Sequence, residues 1–499
     1  MSSARIYLAP TENIPQLDVA GWREAVARAL GGGARLVTAF GVPKQTRVEI
    51  TAVLAHERPE LAVVRTTVAP ETGYHTLTAD FPALHCFERE LHEQHGIRIA
   101  GHPWLKPIRF ESSGREALDA YPFYEIKGKE VHEVAVGPIH AGVIEPGSFR
   151  FMCHGERVHH LEIHLGYQHR GVEKLLLQRD PRSLAPLVET IAGDASIAHA
   201  WAYAAAIEAL AEAPATLQIE AARGVMLELE RVAMHLAGLA GLSADIGFLQ
   251  GASTYGRLRT TAINTSMRAC GSRFGRGAVR PGGSGAILET GSGLVATDNG
   301  VLTSTELRRN MKRIGEDIAI IDERFLSAET VQRRLQGAGR VSSELARQIG
   351  LVGLAARASA IACDVRNGAR GIYEGHPVSV CVEPDGDCWA RAKVRIGEIA
   401  RSLAWIDAVA DAFREWPPSR VRIGPLAPRR LVVAMTESWR GEVVHAIETD
   451  AHGGVAHYKV QDPSLRNWLG LALAVRDNEI SDFPMCNKTF DLSYCGNDL

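Results

Sequence analysis

The sequence of 499 residues contains no two cysteines spaced as Cys-x-x-Cys. Zinc ribbons, iron–sulfur clusters and thioredoxin-type motifs all depend on closely spaced cysteines. We therefore expect this chain to bind no such centre itself. Its eight cysteines are scattered along the sequence, which is typical of a protein from a reducing compartment. They are Cys86, Cys153, Cys270, Cys363, Cys381, Cys388, Cys486 and Cys495.

Long apolar runs and a strong net charge are also missing. No apolar run approaches the roughly 20 residues that a membrane span requires, and the N-terminal residues do not follow the pattern of a signal peptide. The net charge of −3 provides no general attraction to nucleic acid or to an acidic membrane surface. We therefore predict a cytoplasmic chain without a nucleic-acid partner, which reaches a membrane only through partner subunits.

The composition is that of an ordinary globular protein, with 46% hydrophobic and 23% charged residues. Residues 1–110 predict a small α+β domain. A short amphipathic helix is expected at Trp22–Leu30, and the glycines of 31–33 end it. Runs rich in β-branched residues between turn residues then predict strands. These strands are Leu36–Phe40, Arg47–Leu54 and Leu61–Val68.

The rest of the chain predicts a second and larger domain. Residues 111–134 are interpreted as a linker and residues 135–499 as one domain. A hairpin is expected from Phe149–Cys153 and Val158–Leu165, and strands return at 425–460. Between them, stretches with helical periodicity predict a helical bundle with peripheral strands, which makes the fold class α+β. These stretches are Ser183–Ala213, Leu217–Leu239, Leu302–Asp322 and Val394–Phe413, with Pro214 separating the first two.

Several short motifs follow one another in a fixed order. Residues 86–92 read Cys-Phe-Glu-Arg-Glu-Leu-His, residues 137–140 Gly-Pro-Ile-His and residues 170–173 Arg-Gly-Val-Glu. Further motifs are Glu-Arg-x-x-x-His at 230–235, Arg-Pro-Gly-Gly at 280–283, Arg-Gly-Glu at 440–442 and Asp-Pro-Ser at 462–464. The first motif resembles the C-type subunit of NADH-quinone oxidoreductase. The others resemble the large subunit of group 4, complex-I-related, membrane-bound [NiFe]-hydrogenases and the related D-type subunit of NADH-quinone oxidoreductase.

In the hydrogenases of this family, two Cys-x-x-Cys motifs hold the nickel–iron centre. The resemblance places those four ligands at Ala192, Ala195, Ser493 and Gly496. Thiolates are the soft ligands that such a centre requires, and alanine and glycine have no ligating side chain. The resemblance thus implies a chain that keeps the scaffold, has lost the nickel ligands and binds no cofactor itself. A [4Fe-4S] cluster is expected in a partner small subunit.

The resemblance also implies which residues form a proton-transfer site and line its cavity. Glu173 corresponds to the family's proton-transfer glutamate, a role that requires a carboxyl whose pKa is raised by burial. The alternative is a structural ion pair with Arg170 or Lys174. The expected cavity-lining residues are His140, Arg170, His199, Arg280, Arg440, Ser493 and Asp498.

The quinone site of the D-type subunit is only partly matched. His140 corresponds to the histidine of the Gly-Pro-x-His motif in that family. The second histidine and the tyrosine that hold the quinone headgroup are replaced by Ile144 and Gly193. The usual quinone clamp is therefore missing, although a quinone could bind differently.

Three functions follow from the resemblance. The first is a metal-free subunit, not catalytic alone, that couples or braces the junction between a redox module and membrane ion-translocating subunits at the inner face of the cell membrane. The second is a redox-active subunit of an oxidoreductase dependent on NAD(P)H or another donor, which reduces quinone in a remodelled cavity. The third is an active hydrogenase or formate hydrogenlyase subunit that uses other ligands, such as Cys486 and Cys495. The sequence leaves open the donor, the acceptor, the ion and the stoichiometry.

Overall fold

The computed structural model describes residues 2–56, 60–111, 121–139, 144–285, 302–412 and 420–499. They form an α+β protein, as predicted. The strands are β1 Arg5–Pro10, β2 Gln16–Leu17, β3 Arg35–Lys44, β4 Arg47–Ala55, β5 Leu61–Val68, β6 Tyr74–His75, β7 Ile99–Ala100, β8 Val131–Val136, β9 Ser148–His154, β10 Arg157–His164, β11 Val279–Arg280, β12 Gly283–Ser284, β13 Arg430–Glu437, β14 Glu442–Thr449 and β15 Val455–Gln461.

The helices fall in groups between the strands and after the last strand. They are α1 Val19–Gly31, α2 His85–His95, α3 Val172–Leu177, α4 Ala185–Val188, α5 Ser196–Leu210, α6 Leu217–Asp245, α7 Leu249–Cys270, α8 Ser304–Ser327, α9 Glu329–Leu335, α10 Ser343–Gln348, α11 Gly353–Arg357, α12 Ile372–Gly375, α13 Cys388–Ala412, α14 Ser464–Ala474, α15 Phe483–Phe490 and α16 Tyr494–Asp498. Within the described ranges, no helix is both long enough and apolar enough to span a bilayer.

The predicted helix and strands of the small domain are present. Its sheet has the order β2-β5-β4-β3, and α1 and α2 pack on one face. Alternation along β4 explains how both faces become buried, because successive side chains point to opposite sides of a strand. Ile50 and Leu54 face the helices, whereas Val53 and Ala55 join an apolar cluster with a second sheet.

That second sheet has the antiparallel order β1-β13-β14-β15. Leu431, Val433 and Met435 of β13 face the small domain, and α5 covers the opposite side. The first strand, β1, therefore belongs to the sheet of the large domain and not to the domain predicted for residues 1–110. It covers the edge of β13, where unpaired backbone groups would otherwise be exposed.

The long helices α6, α7, α8 and α13 pack against one another as a bundle. Thr216 caps α6, because its hydroxyl accepts a hydrogen bond from the Ile219 amide. The stretches predicted as helices do not include α7, whose glycine, serine and threonine content lowers helix propensity. Its helical form is stabilised by packing between α6 and α8.

Two other boundaries differ from the prediction. The linker predicted for 111–134 ends earlier, because β8 pairs with β9 from Val131 onward; residues 112–120 lie outside the described part. The continuous helical stretch predicted for Ser183–Ala213 is divided into α4 and α5. The interruption at 189–195 contains Gly193 and Asp194, and it provides one wall of the site described next.

Candidate functional site

The interruption before α5 lies against the chain segment around α16. Arg170 joins the two: its Nη2 lies 3.2 Å from the carbonyl oxygen of Ile191 and 3.4 Å from that of Cys495. Arg440 joins them again, donating to the Asp194 carboxylate and, through Nε, to the carbonyl oxygen of Asp491. We call residues 190–195 and 491–496 the clamp segments, because two arginines hold them together.

The pair Arg440–Asp194 occupies the space between the clamp segments. Both guanidinium Nη atoms donate to the carboxylate, at 2.6 and 2.7 Å. The guanidinium also stacks on Trp439, with 3.9 Å to the ring centroid, and the indole Nε1 donates to the Asp194 carbonyl oxygen. Burial opposes the charge of Arg440, but Asp194 outweighs burial and raises the pKa of Arg440. The two parallel hydrogen bonds therefore fix the orientation of the pair.

The four positions that the resemblance assigns to the family's nickel ligands all lie in the clamp segments. Ala192 and Ala195 are buried methyl groups. The Ser493 hydroxyl caps α16 by accepting a hydrogen bond from the Gly496 amide at 2.9 Å. A Cβ atom at Gly496 would lie 2.6 Å from the carboxyl carbon of Asp462. This donor set does not fit a centre held by four thiolates.

His199 belongs to a buried chain of hydrogen-bonded groups. Its Nε2 lies 3.1 Å from Oδ2 of Asp462, and its Nδ1 lies 3.1 Å from Nε2 of His445. The other nitrogen of His445 lies 2.9 Å from the Tyr458 hydroxyl. Burial lowers the pKa of His445 and raises that of Tyr458, so both are neutral at pH 7. Such a chain can shift a proton without moving the backbone.

A second carboxyl near the clamp segments is unusual because it is neutral. Burial raises the pKa of Glu230 to about 8, although the Ile197 amide donates to its Oε2 at 2.8 Å. Its Oε1 is buried without a hydrogen-bond partner. Glu230, Asp194 and Arg273 line one small cavity beside α5.

Glu173 is held by an ion pair whose partner is neither Arg170 nor Lys174. Lys459 lies 3.0 Å from Oε1 of Glu173, and the Val460 amide donates to the same oxygen at 2.9 Å. Lys459 also pairs with Glu90 of α2 at 2.6 Å. Arg109 contacts Glu90 and donates to the Asn497 carbonyl oxygen at 2.6 Å. Glu173 thus belongs to a charged junction that links the small domain, β15 and the C-terminal segment.

The remaining predicted residues are more scattered. Asp498 is buried, and its carboxylate accepts hydrogen bonds from the Gly166 and Gln168 amides, both at 2.9 Å. Arg280 is exposed on the short hairpin β11–β12. Ile144 is also exposed, with 53% of its surface accessible. His140 lies outside the described residues.

A buried charged cluster connects α6 and α13 behind the clamp segments. Glu398 of α13 accepts from Arg357 at 2.7 Å and lies 2.8 Å from Nε2 of His235. Arg357 also pairs with Glu437 at 2.6 Å. Burial opposes ionisation of Glu398, but Arg357 and His235 outweigh burial and lower its pKa well below the usual range. The cluster fixes the bundle to β13.

Several of these groups were not singled out from the sequence. Asp194 is the charged residue among the small and apolar residues of 191–198, and Asp462 is the first residue of the Asp-Pro-Ser motif at 462–464. Both could therefore have been selected from the sequence as site residues. His445 interrupts an apolar strand, which is a weaker signal because buried histidines are common. Nothing in the local pattern around Lys459 indicates its pairing with Glu173, since the two residues are far apart in the chain.

Comparison with known proteins agrees with the motifs. The family described as "Respiratory-chain NADH dehydrogenase, 30 Kd subunit" matches residues 20–122. The family described as "Respiratory-chain NADH dehydrogenase, 49 Kd subunit" matches residues 245–424. The two matches lie in the small domain and in the helical part of the large domain.

Individual relatives extend these matches to most of the chain. Formate hydrogenlyase subunit 5 of Escherichia coli (strain K12) is 27% identical over 85% of this chain and 77% of its own length. The membrane-bound hydrogenase subunit alpha of Pyrococcus furiosus is 27% identical over 72% of this chain and 85% of its own. The NADH-quinone oxidoreductase C/D subunit of Bacteroides thetaiotaomicron is 28% identical over 79% of this chain and 76% of its own.

A solved structure shares the fold. A chain of the membrane-bound sulfane sulfur reductase, described as an archaeal respiratory membrane complex, matches with a TM-score of 0.67. The match covers 75% of this chain and all of that chain, at 21% identity. The chain therefore shares the fold of that respiratory-complex chain. The chain thus contains regions that match the 30 Kd and 49 Kd subunit families, and it is similar over most of its length to group 4 membrane-bound hydrogenase large subunits and to an NADH-quinone oxidoreductase C/D subunit.

Proposed function

We propose that this chain is a nickel-free large subunit of a membrane-bound, complex-I-like oxidoreductase, which couples or braces the junction between the redox and membrane modules. The proposal rests on which residues occupy the two clamp segments. By the motif resemblance, the family's four thiolates correspond to Ala192, Ala195, Ser493 and Gly496 of this chain. The space between the segments holds the ion pair of Arg440 and Asp194.

The contacts around this pair support a bracing role. Arg170 connects the clamp segments through two backbone carbonyl oxygens, and Arg440 connects them through the Asp194 carboxylate and the Asp491 carbonyl oxygen. Glu173 is an ion-pair partner of Lys459, and the same lysine holds the small domain through Glu90. A displacement at the C-terminal segment would therefore be transmitted to the small domain through charged contacts.

The relatives suggest which partners to expect. Their names describe subunits of membrane-bound hydrogenases and of NADH-quinone oxidoreductases. We therefore propose a small iron–sulfur subunit carrying a [4Fe-4S] cluster and membrane ion-translocating subunits as partners. The chain itself would bind peripherally at the inner face of the cell membrane through those subunits.

A second candidate function is favoured by the proton-handling groups. The buried chain from Asp462 through His199 and His445 to Tyr458, together with the neutral Glu230, could serve a redox step that takes up protons. In this alternative the subunit reduces quinone or another acceptor in a remodelled cavity. The two candidates differ in what the clamp residues do, assembly in the first and turnover in the second.

A single pair of variants separates the two functions. Asp194→Asn removes the carboxylate charge that pairs with Arg440 while keeping the size of the side chain. Asp180→Asn is the matched control, because Asp180 forms an exposed ion pair with Arg182. Each variant would be purified from membranes through a tag on this chain. A bracing subunit predicts a lower yield of intact complex for Asp194→Asn, with unchanged activity per assembled complex.

The outcomes are distinct. Normal yield of the Asp194→Asn complex with lower oxidoreductase activity would favour the redox-active alternative. Failure of the wild-type chain to co-purify with membrane subunits would contradict both functions. The Asp180→Asn control should match the wild type in both measurements, since an exposed ion pair contributes at most about 1 kcal/mol.

A further inference from the structure

Two cysteines lie together in the protein interior, between α13 and α15. Cys388 is the first residue of α13 and Cys486 lies in α15, and their sulfur atoms are 3.9 Å apart. Both side chains are completely buried. A disulfide bond is about 2.05 Å long, so bonding requires each sulfur to move by about 1 Å, which is within reach of small side-chain rotations.

The arginine beside this pair has an unusual environment. Arg391 is buried, and it donates to the carbonyl oxygens of Gly386 and Gly339, both at 2.9 Å. Among the ion pairs of the described residues, none joins Arg391 to a carboxylate. Its Nη2 instead lies 3.3 Å from the sulfur of Cys388. The guanidinium also lies 4.3 Å from the centroid of the Phe490 ring, and a thiolate at Cys388 would add the negative charge that a buried cation favours.

Other groups favour the same ionised form of Cys388. The sulfur lies at the N-terminus of a long helix, where the helix dipole stabilises negative charge. The sulfur of Cys486 lies within hydrogen-bonding distance, and the Thr489 hydroxyl lies 3.5 Å away. The hydrogen-bonded contact with Cys486 and the charge of Arg391 outweigh burial and lower the pKa of Cys388 to about 6. The pKa of Cys486 is raised by the same contact.

One surface loop packs directly against both thiols. Gly339 lies in the loop between α9 and α10, and a Cβ atom there would lie 2.6 Å from the sulfur of Cys486. The flanking residues Gly337 and Arg340 are exposed. Gly339 has φ of +63°, so a side chain at this position would strain the backbone as well as press on the sulfur. A small displacement of this loop would admit a small oxidant.

We propose that Cys388 and Cys486 form a redox-active dithiol site, which a peroxide oxidises to a disulfide between α13 and α15. The Cys388 thiolate attacks one peroxide oxygen, the O–O bond breaks, and Cys388 becomes a sulfenic acid while the departing hydroxide takes up a proton to form water. The sulfur of Cys486 then displaces the second oxygen, which also leaves as water. Two thiols and one hydrogen peroxide give one disulfide and two waters.

The Cys388–Cys486 disulfide would connect the dithiol site to the second clamp segment through α15. The Thr489 carbonyl oxygen of α15 accepts from Arg395 at 3.0 Å, and Arg395 also pairs with Asp491 at 3.7 Å. Asp491 in turn accepts from Arg440 through its carbonyl oxygen. Oxidation therefore fixes the helix from which the second clamp segment starts. This inference does not depend on the proposed function, because it concerns the chemistry of two side chains.

The test is a competition between cysteines of one folded protein. The complete chain is treated with a small excess of hydrogen peroxide, and all eight cysteines are followed by alkylation and peptide mass mapping. Cys270 and Cys495 are matched controls: both are more exposed than Cys388, but burial raises their pKa to about 11 and about 12. We expect the disulfide between Cys388 and Cys486 to form before any other cysteine reacts, and dithiothreitol to reduce it again. In urea, Cys388 and Cys486 should no longer react ahead of the other cysteines.

Two variants test the assigned roles. Cys486→Ser should stop the reaction at a sulfenic acid on Cys388 that dimedone traps, whereas Cys388→Ser should give no trapped product at Cys486. Oxidation of Cys270 or Cys495 while Cys388 and Cys486 remain reduced in the folded wild-type chain would overturn the proposal. A wild-type product in which Cys388 is over-oxidised without cross-linking to Cys486 would overturn it as well.

Discussion

Replacing Lys459 with methionine should destabilise the docking of the small domain more than any change at Glu173. Lys459 is buried and lies 2.6 Å from Glu90 and 3.0 Å from Glu173. Burial opposes ionisation of Glu90, but Lys459 and Arg109 outweigh burial and lower its pKa to about 2. The substitution therefore leaves two carboxylates beside a single remaining cation, Arg109.

The structure predicts different magnitudes for the two partners. Breaking a buried pair by removing one side costs about 3–5 kcal/mol, which is the expectation for Lys459→Met. In Glu173→Gln, Lys459 keeps Glu90, the amide oxygen can still accept from Val460, and the Glu173 side chain is already 18% exposed. The expected loss is therefore only about 1–2 kcal/mol.

Urea unfolding of the purified chain at pH 7, followed by tryptophan fluorescence, measures these losses. The double variant Lys459→Met/Glu173→Gln should cost less than the sum of the single changes, because the neutral glutamine is no longer an unpaired charge. A proton relay at Glu173 predicts a different pattern, with unchanged stability and lower turnover in the assembled complex. A loss below about 1 kcal/mol for Lys459→Met would refute the reasoning.

Three further changes test other parts of the site. The folded-state pKa of Glu230, about 8, lies above that of an unfolded glutamate, so the native protein holds an extra proton between about pH 4.5 and 8. The free energy of unfolding should therefore fall by up to about 1.4 kcal/mol per pH unit as the pH rises through this range. Glu230→Gln should flatten this pH dependence in unfolding curves measured at pH 5 to 8, and identical slopes for the variant and the wild type would contradict the assignment. Arg357→Met should cost about 3–5 kcal/mol in the same urea assay, because Glu398 and Glu437 lose their shared cation. Gly496→Ala should lower stability by about 1–3 kcal/mol, because the added Cβ presses on Asp462; an unchanged melting temperature would show that Asp462 moves aside.

Local sequence pattern predicted much of the fold. The strand from Leu61 to Val68 has the predicted ends, and α6 begins at Leu217, the residue predicted after the break at Pro214. These elements follow from β-branched runs, a capping threonine and a proline, which act within a few residues. The sequence pattern did not predict that β1 pairs with β13, because that contact joins the two ends of the chain.

The candidate site was predictable in outline but not in its contacts. Motif order was sufficient to select the segments around Arg170 and Arg440, and the structure shows both arginines spanning the clamp segments. The sequence suggested Arg170 or Lys174 as the ion-pair partner of Glu173, because only cations that are near in the sequence can be proposed as partners when the tertiary structure is unknown. The neutral state of Glu230 depends on burial by α5 and α6, and that burial is a property of the packing.

Elemental analysis tests the central proposal most directly. The intact complex, purified from membranes through a tag on this chain, would be assayed for nickel and for hydrogen uptake beside a nickel-containing hydrogenase prepared in parallel. We predict no stoichiometric nickel and no hydrogen uptake, because Ala192, Ala195, Ser493 and Gly496 provide none of the thiolates that the centre requires. One nickel per chain together with hydrogen uptake would contradict the account.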